Sequence, residues 1–207
     1  LAAPLCEEAI RLGQILARLM PRDTEVGGLL ALMMLHHARR DGRVDADGEL
    51  VALEEQDRSR WDVSEIQEGL RRLDEALARG QPGPYQIQGA IAALHATAAH
   101  FKETDWPQIA GLYEALWQRD GSAAVALNLA IAVGMAEGPA KGLERLEAFE
   151  SAGAFAGHDR VPAARADLLR RAGRTAEAVA AYRAALDKAR NERERVFLRR
   201  RLSALSA

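Results

Sequence analysis

The apolar residues of this chain recur at spacings of three and four almost from its start, the period of one face of an α-helix. From Pro4 to Met20 the positions Leu5, Ala9, Leu12, Leu16 and Leu19 form such a face, and Pro21 stops it. The next segment, from Thr24, carries no charge between Val26 and Leu35, which predicts a central helix packed on several sides before it turns polar at His36, His37, Arg39 and Arg40. Between Asp41 and Asp62 the periodicity lapses, apart from Leu50, Val51 and Leu53, and charge density rises. It returns at Asp62-Val63-Ser64-Glu65, a capping box in which Asp62 accepts from an orphan amide while Glu65 reaches back. The stripe Ile66, Leu70, Leu73 and Leu77 follows. Gly80-Gln81-Pro82-Gly83-Pro84 breaks the chain before another helix, marked by Tyr85, Ile87, Ile91, Leu94 and Phe101. Asp105 caps the next, with Pro107 in its first turn and Trp117 at its end. Further helices are predicted over about 123–136, 139–149, 160–172, 175–189 and 192–205, joined by connections short enough to make neighbours antiparallel.

Three of these segments share an ending: Asp74-Glu75-Ala76-Leu77, Tyr113-Glu114-Ala115-Leu116 and Tyr182-Arg183-Ala184-Ala185-Leu186. Gly138 and Gly173 stand one tetratricopeptide-like period apart. Gly173, Ala178, Tyr182, Ala185 and Leu186 fall where that repeat wants a turn glycine, a small residue at the helix crossing and a closing aromatic plus Ala-Leu. The preceding repeat is a poor match, with Leu143 and Glu147 in the small and aromatic slots, and the one around residues 84–117 is stretched. The predicted architecture is therefore all-α: antiparallel helical hairpins stacked as a tetratricopeptide-like superhelix, with an N-terminal helical bundle. Residues 1–61 hold the first helices and the irregular charged loop, and residues 62–207 the repeats, expected to form one continuous unit.

Composition sharpens this picture in a few respects. Alanine and leucine dominate the 48% hydrophobic fraction, against 5% aromatic residues, a balance that favours helix over sheet. The net charge of -2 offers no polycationic surface for a phosphate backbone, so no nucleic-acid binding is expected. A single cysteine, Cys6, excludes an internal disulfide framework and fits a reducing compartment, the cytoplasm. Neither a signal peptide nor a run long enough to span a membrane is present in the sequence, so a soluble chain is expected. It opens at Leu1 rather than Met, as expected of a fragment of something longer.

Candidate chemistry is sparse. His36 and His37 point about 100 degrees apart on a helix, and His95 and His100 lack the spacing of four that places two ligands on one face, so no metal site is expected. Asp45-Ala46-Asp47-Gly48 resembles part of a calcium loop, but the first ligand position would be Arg43, a cation without an oxygen. No nucleophile stands beside a base and no glycine-rich phosphate loop follows a strand, so neither an enzyme nor a cofactor is expected. The run from Glu55 to Asp62 is the densest in potential contacts. Trp61 either anchors the loop before the helix capped by Asp62, with Arg58 and Arg60 pairing to Asp57 and Glu55, or these side chains meet a partner, Arg and Trp being residues that dominate interfaces. Tyr85, Gln86 and Gln88, at a helix start, either face solvent or line the inner groove of the repeats. The last predicted helix carries a local basic strip, Arg190 to Arg201, read as a solvated capping face or as a contact for an acidic partner or nucleic acid.

Several stretches together resemble the carboxy-terminal extension of one group of extracytoplasmic-function RNA polymerase sigma factors. They are Leu5 to Leu12, Leu29 to His36, Gln56-Asp57-Arg58-Ser59-Arg60-Trp61-Asp62, Gly83 to His95, and Pro162 to Arg170, and the likeness covers nearly the whole chain. The Asp57 to Asp62 and Gly83 to His95 runs are its specific part. The resemblance implies that two sigma domains precede Leu1 in the complete protein, and that this segment is a non-catalytic module modulating them through contacts within the chain, with RNA polymerase, or with a regulatory protein. The residues expected to make those contacts are Asp57, Arg58, Arg60, Trp61 and Asp62, with Tyr85, Gln86 and Gln88. On that reading, replacing Arg58 and Arg60 by Ala weakens sigma-dependent transcription without lowering the melting temperature. The alternative is a small-molecule sensor with a ligand in the repeat groove and Arg58 and Arg60 reading its carboxylate.

Overall fold

The computed structural model describes residues 3–80 and 82–205; Gln81, inside the predicted breaker, lies outside the described residues. The fold is all-α, with ten α-helices among the described residues, and none of them is long and apolar enough to cross a membrane. They divide into two compact units, one of residues 1–44 and 52–105, the other of 45–51 and 106–207.

In the first unit, α1 (Ala3–Leu19) and α2 (Thr24–His37) are followed by α3 (Val63–Leu77) and α4 (Pro84–Thr97). Helix α2, without a charged residue from Val26 to Leu35, is the hub, packing against each of the other three. Asp23 starts it by accepting from the amides of Glu25 and Val26, and its side chains Leu30, Ala31 and Leu35 are fully shielded. Trp61 and Ile66 join Leu35 and Ala38 in a shared core with Ala92 of α4. The capping box at Asp62 forms by half: Asp62 accepts from the Glu65 amide at 2.9 Å, but its own N–H is taken by the Ala38 carbonyl. Glu65 therefore turns instead to His37 Nδ1, 2.8 Å away, and to Arg40.

Because α3 and α4 pack on α2, the division between compact units falls after Asp105, not at residue 62 where the periodicity resumes. The irregular stretch predicted from 41 to 62 contains short 3-10 turns at Arg40–Gly42, Leu53–Glu55 and Arg58–Arg60. Phe101, expected on the same helix as Ile91, lies beyond its end in a further 3-10 turn, Phe101–Glu103.

The second unit runs through α5 (Trp106–Trp117), α6 (Ala123–Ala136), α7 (Pro139–Ser151), α8 (Val161–Arg171), α9 (Thr175–Lys188) and α10 (Glu192–Ser203), each packing on the next. Helix α6 also reaches α8, as in consecutive hairpins sharing a core. The hairpin of α8 and α9 realises the repeat pattern. Gly173 takes φ +72° at the turn, and Ala178, Tyr182 and Ala185 are buried with Leu168, Leu169 and Leu198. In the preceding repeat Leu143 is buried too, and the close crossing moves one residue back to Gly142, where an added Cβ would lie 2.7 Å from Gly134 Cα.

The would-be calcium loop is a turn, with the Asp45 carboxylate accepting from the amides of Asp47 and Glu49 and lying 3.6 Å from Arg200. The basic strip from Arg190 into α10 is partly neutralised by Arg190 with Asp159, just before the helix, and by Arg199 with Glu192.

Candidate functional site

The run from Asp57 to Asp62 folds as one turn with an inside and an outside. Asp57 initiates it, accepting from Ser59 N–H at 2.9 Å and from the Ser59 hydroxyl at 2.7 Å, and these bonds hold its carboxyl below the usual range. Trp61 points inward and is 5% exposed. Arg58 lies over the Trp61 ring, 4.5 Å from its centroid, while Arg39 of the α2 end approaches the same ring at 4.8 Å. Gly42 sits so close to the indole that a Cβ there would stand 2.6 Å from Nε1, so the α2 end and the loop fit together only with glycine at that position.

Arg58 also ends α4. Its Nη1 donates to the His95 carbonyl at 2.7 Å and to the Ala98 carbonyl, two acceptors left open where the helix stops. This places a cation at the negative end of the helix dipole. The cluster beneath the turn is rich in positive groups. Arg39, 6% exposed, has its pKa lowered to about 10 by burial and by the neighbouring Arg43 and Arg58. His95 is pushed down to about 4 by burial and by Arg39 and Arg58, and is therefore neutral at pH 7. Arg39 Nε, Arg58 Nη2 and Trp61 Nε1 are buried donors with no hydrogen-bond acceptor among the described residues.

Three side chains of the turn remain outside: Asp57, Ser59 and Arg60 are exposed, Arg60 being steadied by a 3.1 Å bond to the Val44 carbonyl. Asp57 and Ser59 stand with Arg58 on one wall of an open groove of about 760 Å³; Leu53 and Gln56 extend that wall, and His100, Phe101 and Lys102 form the other. The second wall was not among the contact residues expected from the sequence, which named His100 only as a rejected metal ligand and Phe101 only on a helix face.

The expected contact residues separate on this geometry. Trp61 serves the interior as core, so its reading as a partner contact is corrected, whereas Asp62 is half-buried and caps α3. Gln86 is corrected likewise: it is fully buried, and its Nε2 donates to Thr24 Oγ1 and Glu25 Oε1 at 3.0 and 3.1 Å. Arg58 is committed to α4 and Trp61, so the expectation that its removal leaves melting unchanged does not fit its bonding. Tyr85 is exposed and Gln88 half-buried, but they lie near the start of α4 whereas Arg58 grips its end, about 15 Å away at 1.5 Å per residue. The two groups do not form one site. Among the described residues no three His, Cys, Asp or Glu side chains are grouped to hold a metal ion.

The fold and this turn define the class as an all-α helical module presenting a rigidly held polar turn beside a groove. Residues 1–77 match the model of a family of unknown function (DUF6596). The whole chain is 43% identical to an uncharacterized protein of Rhizobium meliloti (strain 1021), and spans 48% of that relative's length. No solved structure matches the chain.

Proposed function

We propose that this segment is a non-catalytic, cytoplasmic regulatory module of a bacterial RNA polymerase sigma factor. It acts by contacting the sigma domains of the longer chain, RNA polymerase, or a regulatory protein bound to either. The observation that carries this reading is the construction of the Asp57 to Asp62 turn. Arg58 and Trp61 fix its backbone from within, leaving Asp57, Ser59 and Arg60 presented to solvent on a support that does not have to order itself on binding. Asp57 and Ser59, with His100, Phe101 and Lys102 across the groove and Arg60 exposed on the same turn outside the groove lining, are the contact surface. An aromatic ring flanked by charges of both signs suits a protein partner, and the small charged patch is too mixed in sign for a nucleic-acid backbone.

The test is a titration of the 207-residue segment against separately expressed sigma domains at two salt concentrations, with the Arg60→Glu variant in parallel. Saturable binding weakened at least about tenfold by Arg60→Glu, with an unchanged melting temperature, supports the proposal. If binding is saturable but indifferent to this substitution, the contact surface lies elsewhere, and if none occurs, the in-chain contact is wrong.

A second reading is favoured by one detail, the buried Arg58 Nη2 with no acceptor beside the groove. A small carboxylate entering there would supply the missing acceptor. A rise in melting temperature with a panel of small dicarboxylates, lost in Lys102→Ala, would select it.

A further inference from the structure

Helix α1 carries two apolar faces, and the fold uses one of them. Toward α2 it turns Cys6, Ile10, Gly13 and Ala17, all half-buried, and a Cβ on Gly13 would press on Met33 and Leu30 of α2. The other face holds Leu5, Ala9, Leu12, Leu16 and Leu19, and each of these is exposed, Leu5 and Leu19 by 71% and 75%. Their spacings are four, three, four and three, the alternation that lets helices interlock in a coiled-coil seam, with leucine throughout one of the two core positions. With Met20 they present on the order of 500 Å² of apolar surface, as large as the largest patch on a typical monomer.

We propose that this face pairs with the same face of a second copy of the chain, the two α1 helices running antiparallel across a two-fold axis near Leu12. The stripe reads nearly the same from either end about Leu12: Leu5 would oppose Leu19, and the small Ala9 would oppose the large Leu16, a complementary fit. An isologous contact requires this self-matching. Charge agrees with the antiparallel sense. Glu7 lies near the start of the helix, where Glu8 is paired with Arg11, and Arg18 and Arg22 lie near its end or just beyond, so opposite ends attract when the copies run antiparallel, while parallel copies would set like charges together. The two copies would bury roughly 1,000 Å², where specific interfaces begin. The result is a four-helix arrangement of α1 and α2 from each copy. The pairing goes beyond the regulatory reading and stands whether or not the Asp57 turn binds sigma domains.

Sedimentation equilibrium of the 207-residue chain tests it, with Leu12→Glu alongside. Leu12 is 52% exposed and meets its own copy at the axis, so one substitution acts twice while leaving the core of the protomer untouched. The expected result is a concentration-dependent dimer whose dissociation constant rises about a hundredfold in Leu12→Glu, with helicity and melting retained under dilute conditions. In a mixture of Cys6→Ser, Leu5→Cys and Cys6→Ser, Leu19→Cys chains, oxidation should give the mixed disulfide-linked dimer, because the antiparallel arrangement sets residue 5 against residue 19 whereas a parallel pair would set each against itself. A monomer at about 100 μM would overturn the proposal and assign the leucine face to a different protein or segment; a dimer unaffected by Leu12→Glu would also overturn it.

Discussion

Arg58 donates to the His95 carbonyl across 2.7 Å, joining a loop that follows α2 to the last turn of α4, and the same guanidinium lies 4.5 Å from the centre of the Trp61 ring. The most conspicuous charged residue of the run from Asp57 to Asp62 is thereby a structural pin. A loop arginine bound this way loses two charge-assisted hydrogen bonds and a stacking partner when truncated. Arg58→Ala should lower unfolding stability by about 2–3 kcal/mol, read as a shift in the urea midpoint, whereas Arg60→Ala should stay within roughly 0.5 kcal/mol of the parent. Arg58→Lys should recover only part of the loss, since an ammonium lacks the planar face that covers the indole.

The start of α4 has no side-chain cap of its own, because Gly83 occupies that position. Glu25, on the first turn of α2, supplies it from outside, accepting from the amides of Tyr85 at 2.9 Å and Gln86 at 3.2 Å as well as from the Gln86 side chain. Glu25→Ala would orphan those donors beside the buried Gln86. It should cost about 2 kcal/mol, and amide exchange should speed up first at residues 85–88.

Burial and two nearby arginines hold His95 down to about 4, against an ordinary value near 6.5. The neutral form is favoured in the folded state, so between those values the unfolded chain binds more protons and stability rises with pH. The contribution lost on acidification should begin below about pH 6.5 and reach up to about 2 kcal/mol at pH 5. Urea midpoints at pH 7 and 5 measure it together with the like contribution of His36, which burial, Arg43 and Arg39 also hold down to about 4, and His95→Gln should reduce the difference by about half. A slope unchanged in that variant would place the titrating group elsewhere.

Much of the fold was legible in the sequence because helical period and breakers coincide. The segment predicted at 123–136 is Ala123–Ala136, and the repeat residues Ala178, Tyr182 and Ala185 are buried together as their spacing implied. The site was legible only in part. The sequence marked the Asp57 to Asp62 run as dense in contacts, but which side chains turn inward depends on the carbonyls left at the end of α4, some 37 residues later, and no local spacing encodes that. Gln86 looked like a surface residue for the same reason: the carboxylate that pairs with it belongs to Glu25, 61 positions earlier. Tyr85 and the Asp57 turn, both marked by sequence, end up at opposite ends of one helix because residues ten apart along it cannot meet.

Two glycines offer one substitution with opposite outcomes. Gly142 on α7 lies where that helix crosses α6: an added methyl would stand 2.7 Å from Gly134 Cα and 2.9 Å from the Ala130 carbonyl, both backbone atoms with little freedom to yield. Gly142→Ala should therefore force the helices apart and cost about 2–3 kcal/mol, in spite of alanine's better helix propensity. Gly111, inside α5, is exposed, and nothing lies within 4 Å of its would-be Cβ. There the methyl meets only solvent, and the loss of backbone freedom in the unfolded chain decides the sign, so Gly111→Ala should stabilise by about 0.5–1 kcal/mol. Thermal melts of both variants check the argument together. If Gly142→Ala proves neutral, the packing of α6 on α7 is looser than these distances imply, and the tetratricopeptide-like crossing at this repeat does not depend on a small residue.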